Sequence, residues 1–201
     1  VMERSEHVFL IGDGAEAFAR AQGVPVTEQS FFHTDRRWNE LQAAKQKAGG
    51  RPNVIDPTSR AGTVGAVAID SAGRLAAATS TGGMANKTWG RVGDSPVIGA
   101  GTFASPRCAV SCTGWGEYFI THAAAYDVDA RMAHGGASLR DAVHGVVFDT
   151  LHARVPGSGG LIAMDAHGRV ELSFNTTGMY RGWVDADGIP HTAIYAGPET
   201  R

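Results

Sequence analysis

Gly62-Thr63-Val64-Gly65-Ala66-Val67-Ala68-Ile69-Asp70 is the stretch on which the reading of this chain turns. Upstream of it, Ala48-Gly49-Gly50-Arg51-Pro52-Asn53 and Asp56-Pro57-Thr58-Ser59-Arg60 are polar and broken by Gly and Pro, the composition of a linker. Downstream, the pattern predicts a strand over 63–69, a turn at Asp70-Ser71-Ala72-Gly73 and a second strand over 74–80. A buried strand that begins abruptly at Thr, behind Ala61-Gly62, has the form that a self-cleaving precursor needs. Cutting the bond between Gly62 and Thr63 would leave one residue with a hydroxyl nucleophile and a free α-amine to act as its base. Such an amine titrates at about 7.7–8.0, so a useful share is unprotonated near neutral pH, where Lys or Arg stays charged unless strongly perturbed. By itself the Gly-Thr pair is weak, because β-branched Thr is common in strands.

Outward from this hairpin the chain alternates strands and helices. The turn device recurs, with strands over 161–164 and 169–174 joined at Asp165-Ala166-His167-Gly168, and further strands are expected near Ala100 and Val110. Helices are predicted over 13–22, closed by Gly23 at the C′ position, and over 37–47, 117–134 and 139–154. The last opens on Ser138-Leu139-Arg140-Asp141, a capping-box-like signal with Asp in place of Glu or Gln. Strands, then helices, then a hairpin predict an α+β domain in which helices pack on an antiparallel sheet.

Composition narrows the function classes. At 201 residues the chain is long enough to bury a good core. A net charge of −2 with mixed signs gives no reason to expect nucleic acid or a membrane surface as partner, and no apolar run spans a bilayer. No signal peptide is visible at the N-terminus. Cys108 and Cys112 lie on one predicted strand, with Cα atoms roughly 13 Å apart at about 3.3 Å per residue, too far for a disulfide. No nearby Cys or His pair completes a zinc site. Two buried free thiols fit a reducing, cytoplasmic compartment. The 27 glycines cluster in motifs rather than in a low-complexity linker, which suits close backbone approach to a ligand.

Those motifs are Thr79-Ser80-Thr81-Gly82-Gly83-Met84-Ala85-Asn86-Lys87, Gly90-Arg91-Val92-Gly93-Asp94-Ser95-Pro96, Gly99-Ala100-Gly101-Thr102 and Ser111-Cys112-Thr113-Gly114-Trp115-Gly116-Glu117. With Gly62-Thr63, and with Asn175-Thr176-Thr177-Gly178-Met179-Tyr180-Arg181 further on, they resemble the plant-type asparaginase and isoaspartyl peptidase family of N-terminal-nucleophile hydrolases, close to its bacterial members. The likeness covers essentially the whole chain. It implies a four-layer αββα sandwich, residues 1–62 as the end of an α subunit plus linker, and residues 63–201 as a β subunit headed by the nucleophile. It also implies a dimer of αβ heterodimers. Family members carry a longer N-terminal part with the first strands and a loop for a structural sodium ion. That part has no counterpart here, so the chain is expected to be a precursor lacking its N-terminal strands, prone to self-association and weakly active alone. The chemistry itself requires no cofactor.

The resemblance implies roles for individual residues. Thr63 is nucleophile and base, and Thr81 fixes its rotamer. Arg91 offers a planar fork for a carboxylate, and Asp94 holds an ammonium group. Together they would grip the α-groups of an aspartyl or asparaginyl unit, so isoaspartyl dipeptides and L-asparagine are the expected substrates. An internal pair between Arg91 and Asp94 is the competing possibility. The Gly114 N–H and Thr113 hydroxyl are candidates for the oxyanion hole near a helix start, with Gly116 making a backbone contact to substrate. Glu117 is read as a helix-start carboxylate favoured by the macrodipole, Trp115 as shaping the pocket mouth, and none of the eight histidines as catalytic. Alternatives are a glycosylasparaginase, which a secretory setting with disulfides would suit better, and a folded but catalytically incomplete precursor fragment.

Overall fold

The computed structural model describes residues 1–47 and 62–197. The expected linker at 48–53 and 56–60 lies outside the described residues, as does Ala61. By its internal contacts the chain divides into two compact units, 1–49 and 50–201.

In the first unit, α1 (Gly12–Ala21) ends where the glycine signal places it. Gly23 takes a φ of +73°, its N–H donates to Arg20 O at 3.0 Å, and the Val24 N–H donates to Ala19 O at 3.0 Å. This paired closure satisfies carbonyls that the helix end would otherwise leave open. After a 3₁₀ turn (Gln29–Phe32), α2 (Asp35–Lys47) starts two residues earlier than expected. Thr34 is the reason: its Oγ1 accepts the Arg37 N–H at 3.3 Å and its carbonyl accepts the Trp38 N–H at 2.9 Å.

In the second unit one repeated device closes three of the antiparallel hairpins. Strands β1 (Val64–Ile69) and β2 (Leu75–Ser80) pair from Val64 opposite Ser80 to Ile69 opposite Leu75. In their turn the Asp70 carboxylate accepts the N–H groups of Ala72 and Arg74, each at 2.9 Å. Strands β3 (Thr102–Ala104), β4 (Cys108–Gly114), β5 (Gly159–Asp165) and β6 (Val170–Phe174) form one four-stranded sheet in that order. Between β5 and β6, Asp165 accepts from His167 and Arg169 at 2.9 and 3.0 Å. The third hairpin, β7 (Arg181–Val184) and β8 (Pro190–Ala193), was not among the expected strands. Its turn, Asp185-Ala186-Asp187-Gly188, repeats the spacing, and Asp185 accepts from Asp187 and Ile189 at 3.0 and 2.9 Å.

Where two continuous helices were expected, four segments stand: α3 (Gly116–Thr121), α4 (Ala124–Gly135), α5 (Leu139–His144) and a π-helical stretch (Gly145–His152). The first break falls at Ala123, which is left-handed at φ +46°. Tertiary contacts explain it: the Ala125 and Tyr126 N–H groups at the start of α4 donate to Ala100 O and Gly99 O, at 3.1 and 2.9 Å. Those acceptors come from the loop before β3 and replace the carbonyls that a continuous helix would have supplied. Ser138 caps α5 as expected, its Oγ accepting the Asp141 N–H at 3.2 Å.

The core forms where one face of the sheet meets the helices. Cys108, Val110 and Cys112 of β4 and Leu161 and Ala163 of β5 pack with Phe119, Val128, Val143, Val146 and Leu151. Successive side chains on a strand point to opposite faces. Ser111 accordingly faces away from the helices and meets the β1–β2 hairpin, its Oγ 2.7 Å from Thr79 Oγ1, and Thr79 also donates to Gly101 O at 3.1 Å. The unit is thus mixed helix and sheet, with helices on one face of the sheet and a hairpin on the other. Both cysteines are free and buried. Burial pushes the Cys108 thiol up to about 12, and that of Cys112 well above its ordinary range.

At Gly65 the hairpin comes so close to β4 that an added Cβ would collide with Ser111 Oγ and stand 2.9 Å from its Cβ. Ser111 is tied to Thr79 by its hydroxyl and held by strand pairing on both sides. Gly65→Ala is therefore expected to destabilise this unit by about 1–3 kcal/mol, as overpacking does. Denaturant unfolding measures it, and Ser111→Ala in the same chain should recover part of the loss.

Candidate active site

Thr63 immediately precedes β1 and Thr81 immediately follows β2, so the antiparallel register sets the two side by side. The Thr63 hydroxyl donates to Thr81 Oγ1 across 3.4 Å, longer than the roughly 2.7–2.8 Å typical between hydroxyls. Thr81 Oγ1 in turn accepts the Gly83 N–H at 3.1 Å, which fixes its rotamer and leaves its own proton free to donate. Hydrogen bonds between reacting groups are often long before a substrate tightens them.

These two threonines line a small cleft together with Gly83, Met84, Arg91, Gly93, Asp94, Ser95, Gly114 and Trp115. Its volume of about 30 Å³ is room for roughly two waters. Six residues singled out from the sequence thus converge: Thr63, Thr81, Arg91, Asp94, Gly114 and Trp115. Thr113 and Gly116 stand just outside the lining. Thr113 lies two residues beyond Ser111 on β4, hence on the sheet face turned toward the hairpin. Gly116 is packed beneath Asp94 and Arg91: a Cβ there would stand 2.8 Å from Asp94 N and Oδ1 and 3.0 Å from Arg91 Nη2.

Gly114 carries two constraints at once. Its φ of +145° excludes ordinary side chains, and a Cβ would run into Ser158 O and approach Gly159 Cα at 2.7 Å. Its N–H follows the alternation of β4. The Cys112 N–H donates toward the β3 side, to Gly101 O at 2.9 Å, whereas the Trp115 N–H donates to Ser158 O at 2.9 Å. Gly114 shares the parity of Cys112, and β3 begins only at Thr102, opposite Ser111. The Gly114 N–H therefore points off the strand edge past the start of β3.

Arg91 and Asp94 come from the irregular segment between β2 and β3. Arg91 pairs with Glu117 and not with Asp94: Nε donates to Oε1 and Nη2 to Oε2, each at 2.8 Å. The pairing raises the guanidinium's proton affinity and holds the Glu117 carboxyl below its usual range. This Glu117 contact was not foreseen. The only sequence signal for it was an acidic residue beside the glycine-rich turn, read as a helix-start charge.

Asp94 is wedged between two glycines. A Cβ at Gly101 would stand 2.5 Å from the Asp94 carbonyl and 2.7 Å from Oδ2. The side chain is 5% exposed, and its Oδ2 is buried without a hydrogen-bond partner. Burial pushes its pKa up, only partly countered by its own and the Ser95 N–H groups and by the Arg91 charge. An unpaired acceptor in this position suits a cationic donor. Among the described residues no group of three His, Cys, Asp or Glu side chains is placed to hold a metal ion. No histidine lines the cleft.

A raised acid pKa means that the folded state binds more protons than the unfolded chain above pH ~3.9. Stability therefore falls as pH rises through the folded value, because the buried side chain then has to carry its charge. Asp94→Asn is expected to raise Tm at pH 7, and the gain should shrink toward zero as pH drops below ~4. Thermal melts at the two pH values test this. A variant less stable than the parent at pH 7 would overturn it.

Comparison with known proteins shows the family of the chain. The family profile described as Asparaginase (Asparaginase_2) matches residues 1–194. An isoaspartyl peptidase of Salmonella typhimurium is 52% identical over 202 residues, covering 97% of this chain and 64% of the relative. The isoaspartyl peptidase of Escherichia coli strain K12 is also 52% identical, with 97% and 62% covered. A probable isoaspartyl peptidase/L-asparaginase 2 of Arabidopsis thaliana is 41% identical over 217 residues, with 97% and 66% covered. The chain thus spans less than two thirds of the length of the two bacterial relatives. With a profile match over nearly every residue and half of all positions shared with these peptidases, the chain belongs to the asparaginase family.

Proposed function

We propose that these residues are the greater part of an isoaspartyl peptidase and L-asparaginase that activates itself by cutting between Gly62 and Thr63. One observation carries the reading: the Thr63 hydroxyl, 3.4 Å from that of Thr81, opens onto a cleft shared with Arg91, Asp94 and Gly114. The relatives' names support the substrate class.

In the precursor, the Thr63 hydroxyl attacks the Gly62 carbonyl carbon. The peptide bond becomes an ester and frees the Thr63 amine, and water then hydrolyses the ester to leave two associated chains. In the mature enzyme the hydroxyl attacks the side-chain carbonyl of a β-aspartyl unit. Its proton passes through the α-amine to the departing amine or ammonia, leaving an acyl ester on Thr63. The Gly114 N–H, with the Thr113 hydroxyl, faces the oxyanion. Arg91 takes the α-carboxylate, Asp94 takes the α-ammonium, and the Gly116 backbone braces the bound unit. Water releases aspartate. An isoaspartyl dipeptide and asparagine share every bound atom of that unit and differ only in the leaving group, so one site serves both.

The reading carries with it a four-layer αββα sandwich, an α part ending at Gly62 and a β part of residues 63–201, assembled as a dimer of heterodimers. It needs no cofactor for the chemistry and assigns no residue of this chain to the family's structural sodium. N-terminal sequencing tests it in a form of the protein as long as its relatives. The smaller product should begin at Thr63, and any other first residue would sink the assignment.

A further inference from the structure

Glu117 lies outside the cleft lining, yet its carboxylate accepts two hydrogen bonds from the Arg91 fork. We infer that Glu117 is a positioning residue: by holding the Nε and Nη2 edge of the guanidinium, it turns the other edge toward the cleft to take the substrate's α-carboxylate. The inference rests on the isoaspartyl peptidase reading.

Donor arithmetic makes simultaneous binding feasible. A guanidinium carries five N–H groups, and Glu117 takes one from Nε and one from Nη2. Both Nη1 hydrogens and the second Nη2 hydrogen remain, the edge suited to another carboxylate. Nη1 lies beside Gly93, a cleft-lining residue, 2.8 Å from where a Cβ would stand, and Nη2 lies 3.0 Å from the corresponding point at Gly116. The two glycines leave the guanidinium the space it occupies, and Glu117 sets its angle within that space. Stability is a poor reason for this pair. The Glu117 side chain is 48% exposed against 15% for Arg91, and half-exposed ion pairs contribute little to folding. An arginine side chain without that anchor samples many rotamers, each of which must be frozen again when substrate binds.

The test uses the self-cleaved enzyme in a form as long as its relatives, with the dipeptide β-aspartyl-alanine as substrate. Glu117→Ala is expected to raise KM about 10–50-fold with kcat within about threefold, since it removes binding rather than transition-state contacts. Glu117→Gln keeps one acceptor and should raise KM only about 3–10-fold, because one of the two charge-assisted bonds survives in weaker form. Glu117→Asp, one methylene short of both donors, should behave like the alanine variant. Self-cleavage and Tm should match the parent throughout, because the bond between Gly62 and Thr63 offers no free α-carboxylate. An unchanged KM overturns the inference. So does a lowered KM, the mark of a carboxylate that competes with substrate, or a raised KM that comes with parallel losses of self-cleavage and Tm, the mark of a merely structural pair. Should Glu117→Ala fail to fold, the nearly isosteric glutamine variant decides by the same KM criterion. A parent enzyme that releases no aspartate defeats the functional reading and this inference with it. A turning-over parent with a flat Glu117 series defeats the inference alone.

Discussion

Thr63→Ala is expected to leave the chain uncut between Gly62 and Thr63 and to lower aspartate release by about 10⁴-fold or more, the scale seen when a hydrolase loses its nucleophile. The expectation follows from economy. On the proposed reading one residue supplies the attacking oxygen and, once freed, the amine that accepts its proton, so no second residue retains half of the function. Removing Thr81 should be milder, because on the same reading Thr81 only orients the Thr63 hydroxyl that it meets by a hydrogen bond. Gel mobility and N-terminal sequencing report the first reaction, and aspartate release from an isoaspartyl dipeptide reports the second. A Thr63→Ala chain that still cuts itself at this bond would require another nucleophile.

The second large effect separates the two reactions. Arg91→Ala is expected to lower kcat/KM for an isoaspartyl dipeptide by about 10²–10³-fold, the loss of two hydrogen bonds to a charged group. Self-cleavage should stay within about threefold of the parent, since the precursor bond has no free α-carboxylate to grip. Arg91→Lys restores the charge without the planar fork and should recover only part of the activity. Comparable loss of both reactions would point instead to collapse of the loop between β2 and β3, and a melt would register it.

Much of the second unit was legible because its signals are local. An aspartate followed three residues later by glycine closes three of the hairpins, and the chemistry lies within a few residues: a carboxylate accepting two N–H groups beyond it. The same rule, applied at Asp185 and Gly188, would have found the third hairpin. The closure of α1 at Gly23 is local in the same sense. What escaped was decided at a distance. Ala123-Ala124-Ala125 is strongly helix-forming, and nothing within it announces that the carbonyls of Gly99 and Ala100 will take over the N–H groups of Ala125 and Tyr126. The candidate site divides along the same line. The glycine-rich motifs marked where backbone and charged groups crowd together, and Asp94 between Gly101 and Gly116 shows why glycines were needed. The partner of Arg91, 26 positions further along, followed only from the folded arrangement.

The bond between Thr79 and Ser111, described above as a link between hairpin and sheet, bears on the proposed cut before Thr63. The register of β1 is dictated by β2 along its whole length and by β4 at Gly65. None of that instruction comes through the peptide bond on the N-terminal side of Thr63. On the proposed reading, a chain end created there would take its place from neighbours already present, so a cut is expected to change covalent connectivity and to leave the new terminus where β2 and β4 hold it.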